Sequence, residues 1–233
     1  MRKCHFLIPC ILLMLSLFQT KITNAQDWAN LKGFEQANKS LGTPETGENR
    51  VVFMGNSITI GWSAKVPEFF NDKPYINRGI SGQTTPQMLL RFRQDVIDLH
   101  PKVVLILAGT NDIAGNTGPM SLEQIMDNIS SMAELARANG IEPILCSVLP
   151  AERYHWKPGK KPDEKIPLLN TMIRQYAHKK GLIYLDYFGA MANDKMGLDK
   201  DLAEDGVHPT RKGYQIMGPL AEAAILQALE RRP

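Results

Sequence analysis

Short apolar runs recur along this chain. Each is closed by a polar or glycine-rich string and followed by a stretch whose apolar residues return at helical spacing. The first run, Val51-Val52-Phe53-Met54, is apolar throughout and half β-branched, which reads as a buried strand. Tyr75-Ile76-Asn77-Arg78 is the second, Val103-Val104-Leu105-Ile106-Leu107 the third, residues 143–148 the fourth and Leu182-Ile183-Tyr184-Leu185-Asp186 the fifth. The third is continuously apolar, as a parallel strand covered on both faces requires.

The intervening stretches predict helices. One follows Ser57, limited by Gly61 and Pro67. Another starts at Pro86 with Thr85 as its cap and runs to about Leu99, before Pro101. Ser121 caps a third, with Gln124 at the capping-box position; Ile125, Ile129, Met132 and Ala136 form its apolar side and Asn139-Gly140 closes it. Residues 167–180 and 210–230 give two more. Ahead of the first strand, residues 27–41 read as a helix capped by Asp27, with Trp28, Leu31, Phe34 and Leu41 on one side. Regular alternation of strand and helix predicts an α/β fold. The expected architecture is a three-layer sandwich: a five-stranded parallel sheet in the flavodoxin-like order 2-1-3-4-5, with helices on both faces.

The chain opens with Arg2 and Lys3, an apolar run from Phe6 to Phe18, and then Thr23-Asn24-Ala25. These are the three regions of an export signal, with cleavage expected after Ala25, and the run is too short for a comfortable membrane span. Three of the 27 basic residues and none of the 24 acidic ones lie in residues 1–25, so residues 26–233, read as a single domain, are formally neutral. The apparent basicity therefore gives no argument for nucleic acid or an anionic membrane as partner. Cys146 is the one cysteine outside the signal; it sits in an apolar run and reads as a core residue. A secreted or periplasmic protein without an integral membrane segment is expected.

In a parallel α/β sheet, ligands bind outside the carboxyl ends of the strands. Ser57 follows the first predicted strand, Gly82 the second, Asn111 the third, and Asp205 and His208 the fifth. Each has an ordinary reading by itself: Ser57 as a helix cap, Gly82 as a turn, Asn111 as a cap, Asp205 as a turn residue before Gly206. Together they supply the parts of an acyl-transfer site. A serine hydroxyl needs an adjacent base, histidine can be that base, and a carboxylate sets the imidazole tautomer. Backbone amides and a carboxamide can meet an oxyanion.

These strings resemble the blocks of the SGNH hydrolase superfamily, the GDSL-type esterases and lipases, over nearly all of residues 26–233. Gly55-Asn56-Ser57-Ile58 is similar to its first block, Ile80-Ser81-Gly82-Gln83-Thr84 to its second, Gly109-Thr110-Asn111-Asp112 to its third and Asp205-Gly206-Val207-His208-Pro209 to its last. The resemblance implies Ser57, Asp205 and His208 as catalytic residues. It also implies an oxyanion hole made by the amides of Ser57 and Gly82 and the side chain of Asn111. No metal or organic cofactor is implied, and HExxH, paired CxxC and phosphate-loop motifs are absent from the sequence. Asn56 departs from the family, which usually carries aspartate there. Thr59 stands where a nucleophile elbow has its second glycine, which argues against an α/β-hydrolase.

The loop after the fourth strand carries Arg153, Tyr154, His155 and Trp156, a mixture of donors and aromatic faces suited to a sugar ring. The leading expectation is an exported serine esterase that removes short acyl groups, foremost acetyl, from a small-molecule or glycan ester. A lysophospholipase or thioesterase acting on longer chains is one alternative, and a glycan-binding module on the same fold is another.

Overall fold

The computed structural model describes residues 27–231; the export signal expected in residues 1–25 lies outside the described residues. Strand β1 (Val51–Gly55) is buried along its whole length and pairs in parallel with β2 (Tyr75–Gly79) on one side and β3 (Val103–Leu107) on the other. Beyond β3 lie β4 (Glu142–Cys146) and β5 (Ile183–Leu185), giving the strand order β2-β1-β3-β4-β5. Gly55 is level with both Gly79 and Leu107, so three strands end on one rung. The chain leaves β1 for one neighbour and later returns to the other, which opens a crevice at that rung.

Alternate side chains of each strand enter opposite cores. Val52, Met54, Val104, Ile106 and Leu145 pack under α3 (Thr85–Asp95), α5 (Leu122–Ala138) and α6 (Pro162–Lys180). Val51, Phe53, Val103, Leu105, Ile144 and Cys146 pack under α2 (Ser57–Lys65), α7 (Tyr187–Met191) and α8 (Arg211–Glu230). Helix α5 begins at the expected cap, with Gln124 N–H donating to Ser121 Oγ and Ser121 N–H to Gln124 Oε1. Its four expected core residues are all buried. Among the described residues no helix is long and apolar enough to cross a membrane.

The strands depart from expectation by two residues at most, β4 ending at Cys146, and larger differences lie in the helices. In the 27–41 arm, only α1 (Glu35–Leu41) is an α-helix. Asp27 takes the N–H groups of Leu31 and Lys32 on its carboxylate, at 2.8 and 3.0 Å, and Asn30 turns to φ 54°, which breaks a helical path. Trp28 and Leu31 stay exposed instead of forming an apolar side. Helix α3 is capped by Thr84, one residue before the expected cap, because Gln87 Oε1 accepts from Thr84 N–H. It stops at Asp95, and a 3-10 turn over Ile97–Leu99 completes the stretch. Helix α6 starts at Pro162, five residues ahead of expectation. A first-turn proline loses no intrahelical bond there, and Pro167 lies inside the helix.

A short helix (Thr110–Ala114, α4) follows β3 and carries Asn111.

Candidate active site

Gly55 has no room for a side chain: a Cβ would lie 2.0 Å from Thr59 Oγ1 and 2.9 Å from the Leu107 carbonyl oxygen. Its absence lets α2 fold directly over the strand end. Buried Asn56 caps that helix, its Oδ1 accepting Ile58 N–H at 3.0 Å, and Ser57 becomes the first helical residue. Tyr214 of α8 donates to the Ile58 carbonyl at 2.7 Å and ties the segment to its neighbour in the same helix layer.

Asp205 builds the loop that faces Ser57. Its Oδ1 accepts the N–H groups of Val207 and His208, at 2.9 and 2.7 Å, and its Oδ2 lies 2.6 Å from His208 Nδ1. Ser57 Oγ lies 2.8 Å from His208 Nε2. With the carboxylate accepting at Nδ1, the imidazole hydrogen belongs there and Nε2 presents its lone pair to the serine hydroxyl. Partial burial works against the charged form of Asp205. The His208 amide and ring and the Val207 amide outweigh it and hold the carboxyl below its ordinary range.

Gly82 sits in a turn closed by Gln83 N–H on the Ile80 carbonyl at 3.3 Å, with a φ of 78° that a side chain would strain. The Gly82 carbonyl accepts from Asn116 Nδ2 at 3.1 Å. Its N–H, like that of Ser57, has no hydrogen-bond partner among the described residues. Buried Asn111 donates through Nδ2 to the Gln83 carbonyl at 2.9 Å, which binds the third strand end to the second.

The loop after β4 divides. Trp156 is 42 % exposed and its ring stands 6.4 Å from the His208 ring, inclined by 30°. Tyr154 is buried behind it, with ring centroids 5.1 Å apart, so it backs the tryptophan and leaves no face for a ligand. Arg153 and His155 line a cavity of about 130 Å³ beside Asp205 and Gly206. Among the described residues no cluster of His, Cys, Asp and Glu is placed to hold a metal ion.

A model of the GDSL-like lipase/acylhydrolase family matches residues 53–216, a span that runs from β1 into α8. The chain belongs to this family. A GDSL-like lipase from Bacteroides thetaiotaomicron is 47 % identical with a TM-score of 0.83, over 86 % of this chain and 98 % of that one. A Bacteroides fragilis protein of solved structure is 46 % identical with a TM-score of 0.85, over 88 % and 99 %. An acetylxylan esterase of Xylanibacter ruminicola is 29 % identical over 224 residues, 80 % of this chain but 45 % of that protein. The chain thus spans about half the length, or less, of the curated relatives it matches.

In this GDSL-family chain Asn56 retains the capping function that an aspartate would have at the same position. Sequence reasoning missed a buried polar cluster behind the site: Arg91, Gln83, Asp95 and Arg78. A signal for it existed. Met88, Arg91, Phe92 and Asp95 share one helical face, so an apolar stripe carries a cation and an anion four residues apart. Asp112 was also missed. It is buried and accepts the N–H and the hydroxyl of Thr85 on Oδ1, at 2.8 and 2.6 Å.

Proposed function

We propose that this chain is an exported serine esterase that cleaves short acyl esters, foremost acetyl, from carbohydrate. The observation that carries the reading is the continuous line from Ser57 Oγ to His208 Nε2, 2.8 Å, and from His208 Nδ1 to Asp205 Oδ2, 2.6 Å. His208 takes the hydroxyl proton as Ser57 Oγ bonds to the ester carbonyl carbon. The oxyanion is met by the N–H groups of Ser57 and Gly82 and by the free N–H of the Asn111 amide. Collapse expels the alcohol, which takes the proton from His208. Water, deprotonated by the same imidazole, then releases the acid and restores Ser57.

Acetylated sugar is favoured by Trp156, whose exposed face beside His208 offers the alcohol portion a flat apolar platform. The likeness to a relative named as an acetylxylan esterase points the same way. Export rests on residues 1–25, whose removal leaves residues 26–233 as a single domain. The test is hydrolysis of p-nitrophenyl esters from acetate to long chains, and of acetylated xylooligosaccharides, with Ser57→Ala alongside. Turnover that is greatest for acetate and lost in the variant is expected. A maximum at long chains would replace the sugar reading with a lipid one, and no turnover would refute the esterase.

A further inference from the structure

The three groups assigned above to the oxyanion all hang from one buried guanidinium. Arg91 is fully buried on α3. Its Nε donates to Gln83 Oε1 at 2.6 Å, its Nη1 to Asp95 Oδ2 at 3.0 Å, and its Nη2 to the carbonyls of Gly55 at 3.1 Å and Arg78 at 2.9 Å. Gly55 precedes Ser57 by two residues. Arg78 is the next-to-last residue of β2, just ahead of the turn that carries Gly82. Gln83 follows Gly82, and its carbonyl is the acceptor that fixes Asn111. One planar fork therefore grips the end of β1, the end of β2 and the residue that links both to β3.

We infer that Arg91 is a positioning residue for ester hydrolysis, holding the Ser57, Gly82 and Asn111 donors in mutual register without touching substrate. The inference rests on the oxyanion reading of those three groups. Stability alone is a poor reason for this arrangement, because a buried ion pair is often no better than apolar residues of the same volume. What an apolar residue lacks is a rigid set of donors pointing in several directions, and lysine lacks it too.

The arm at residues 27–41 seals the cluster. Phe34 lies with its ring 4.7 Å from the Arg78 guanidinium and 5.9 Å from that of Arg91. Asn38 donates to Asp95 Oδ1 at 2.7 Å and accepts from Arg78 Nε at 2.9 Å, while Gln83 Nε2 donates to the Ala29 carbonyl at 2.8 Å. With water kept out, the guanidinium has few competing partners and its geometry is well determined.

The test is a double-mutant cycle on kcat between Arg91→Met and Asn111→Ala, with folding checked by thermal unfolding. Misplaced donors weaken binding of the transition state and leave ground-state binding alone. Arg91→Met is therefore expected to lower kcat by roughly 10- to 100-fold, with KM within about twofold of wild type. In the Asn111→Ala background the same substitution is expected to cost several-fold less, since part of what it disturbs is already gone. Arg91→Lys is expected to restore little. Should Arg91→Met fail to fold, Gln83→Met carries the same cycle, because it removes the link to Gly82 and leaves the Arg91–Asp95 pair. A folded variant with wild-type kcat, or equal losses in both backgrounds, would overturn the inference. An active Ser57→Ala would instead overturn the esterase mechanism, so the two failures are distinguishable.

Discussion

Trp156 faces His208 across 6.4 Å, with the ring planes inclined by 30° and its own outer surface open to solvent. In the proposed mechanism His208 passes a proton to the leaving alcohol, and the indole beside it would give the rest of that alcohol a flat apolar surface. Tyr154 is buried and packs against the indole, with ring centroids 5.1 Å apart. Trp156→Ala is expected to raise KM for acetylated xylooligosaccharides by about five- to thirtyfold, the equivalent of ~1–2 kcal/mol of lost stacking and burial. KM for ethyl acetate, which has no ring to place, is expected to stay within about twofold. Steady-state kinetics on the two substrates checks this, and equal changes on both would remove the platform.

Asn111 donates one amide hydrogen to the Gln83 carbonyl, and the proposed mechanism gives its other N–H to the oxyanion. Asn111→Ala is expected to lower kcat by about 10²–10³, or ~3–4 kcal/mol, the cost of one lost oxyanion donor. The loss is expected at the upper end because the Gly82 turn loses a tether as well. Stopped-flow measurement of acyl-enzyme formation is the direct assay.

Asp205 accepts two backbone amides on one oxygen and the imidazole on the other. Asparagine can keep the first pair, but its NH₂ would face Nδ1 and drive the ring hydrogen to Nε2, where it blocks Ser57. A folded Asp205→Asn variant with kcat down by about 10⁴ is expected, the size of effect seen when a triad histidine is held in the wrong tautomer.

The same carboxyl sets one part of the pH dependence of stability. Its folded-state pKa lies below its unfolded one. The native state therefore gains stability above the unfolded value and loses it as pH falls through the folded value. Urea midpoints of the wild type are expected to drop further on acidification than those of Asp205→Asn.

Asp112 has the opposite sign. Burial pushes its carboxyl up against the opposing bonds from Thr85. The native state holds this proton more tightly than the unfolded chain, so stability is greatest on the acid side and falls as pH rises through the raised value. Asp112→Asn keeps an acceptor for Thr85 and removes the charge. It is expected to flatten the decline that begins as pH rises past the ordinary carboxylate value. Asp112→Ala strands the Thr85 N–H and is expected to cost about 1–3 kcal/mol in urea unfolding on the acid side, and less as pH rises and the wild-type carboxyl ionises.

Much of this architecture is legible in the residue order. Val103–Leu107 reads as a central strand because a two-sided burial leaves no polar position, and α5 reads to its first residue because a capping box is a local event. The placement of Ser57, Gly82, Asn111, Asp205 and His208 near one sheet edge follows from counting strands, since parallel topology puts every strand end on the same side. Asn56 was legible only as a departure from a family pattern; its capping bond shows why the helix start survives the change.

What sequence did not disclose depends on contacts between residues far apart along the chain. The arm at residues 27–41 has helical spacing, yet a series of its bonds runs to the 83–95 segment: Gln83 to Ala29, Gln87 to Trp28, Gln94 to Leu31 and Asn38 to Asp95. Local propensity could not foresee a path set by those partners. Tyr154 and Trp156 are alike by type and two residues apart, but one is buried and the other faces His208. Arg91 and Asp95 stand out in sequence only as charges on an apolar helical stripe; that Gly55, Arg78 and Gln83 converge on Arg91 follows from the tertiary structure. Sequence by itself determined the elements, their order and the chemical types at the strand ends, because those follow from periodicity and local hydrogen bonding. Only the tertiary structure decided which polar groups are buried together and which aromatic stays open, because burial and partner geometry arise when separate segments close on one another.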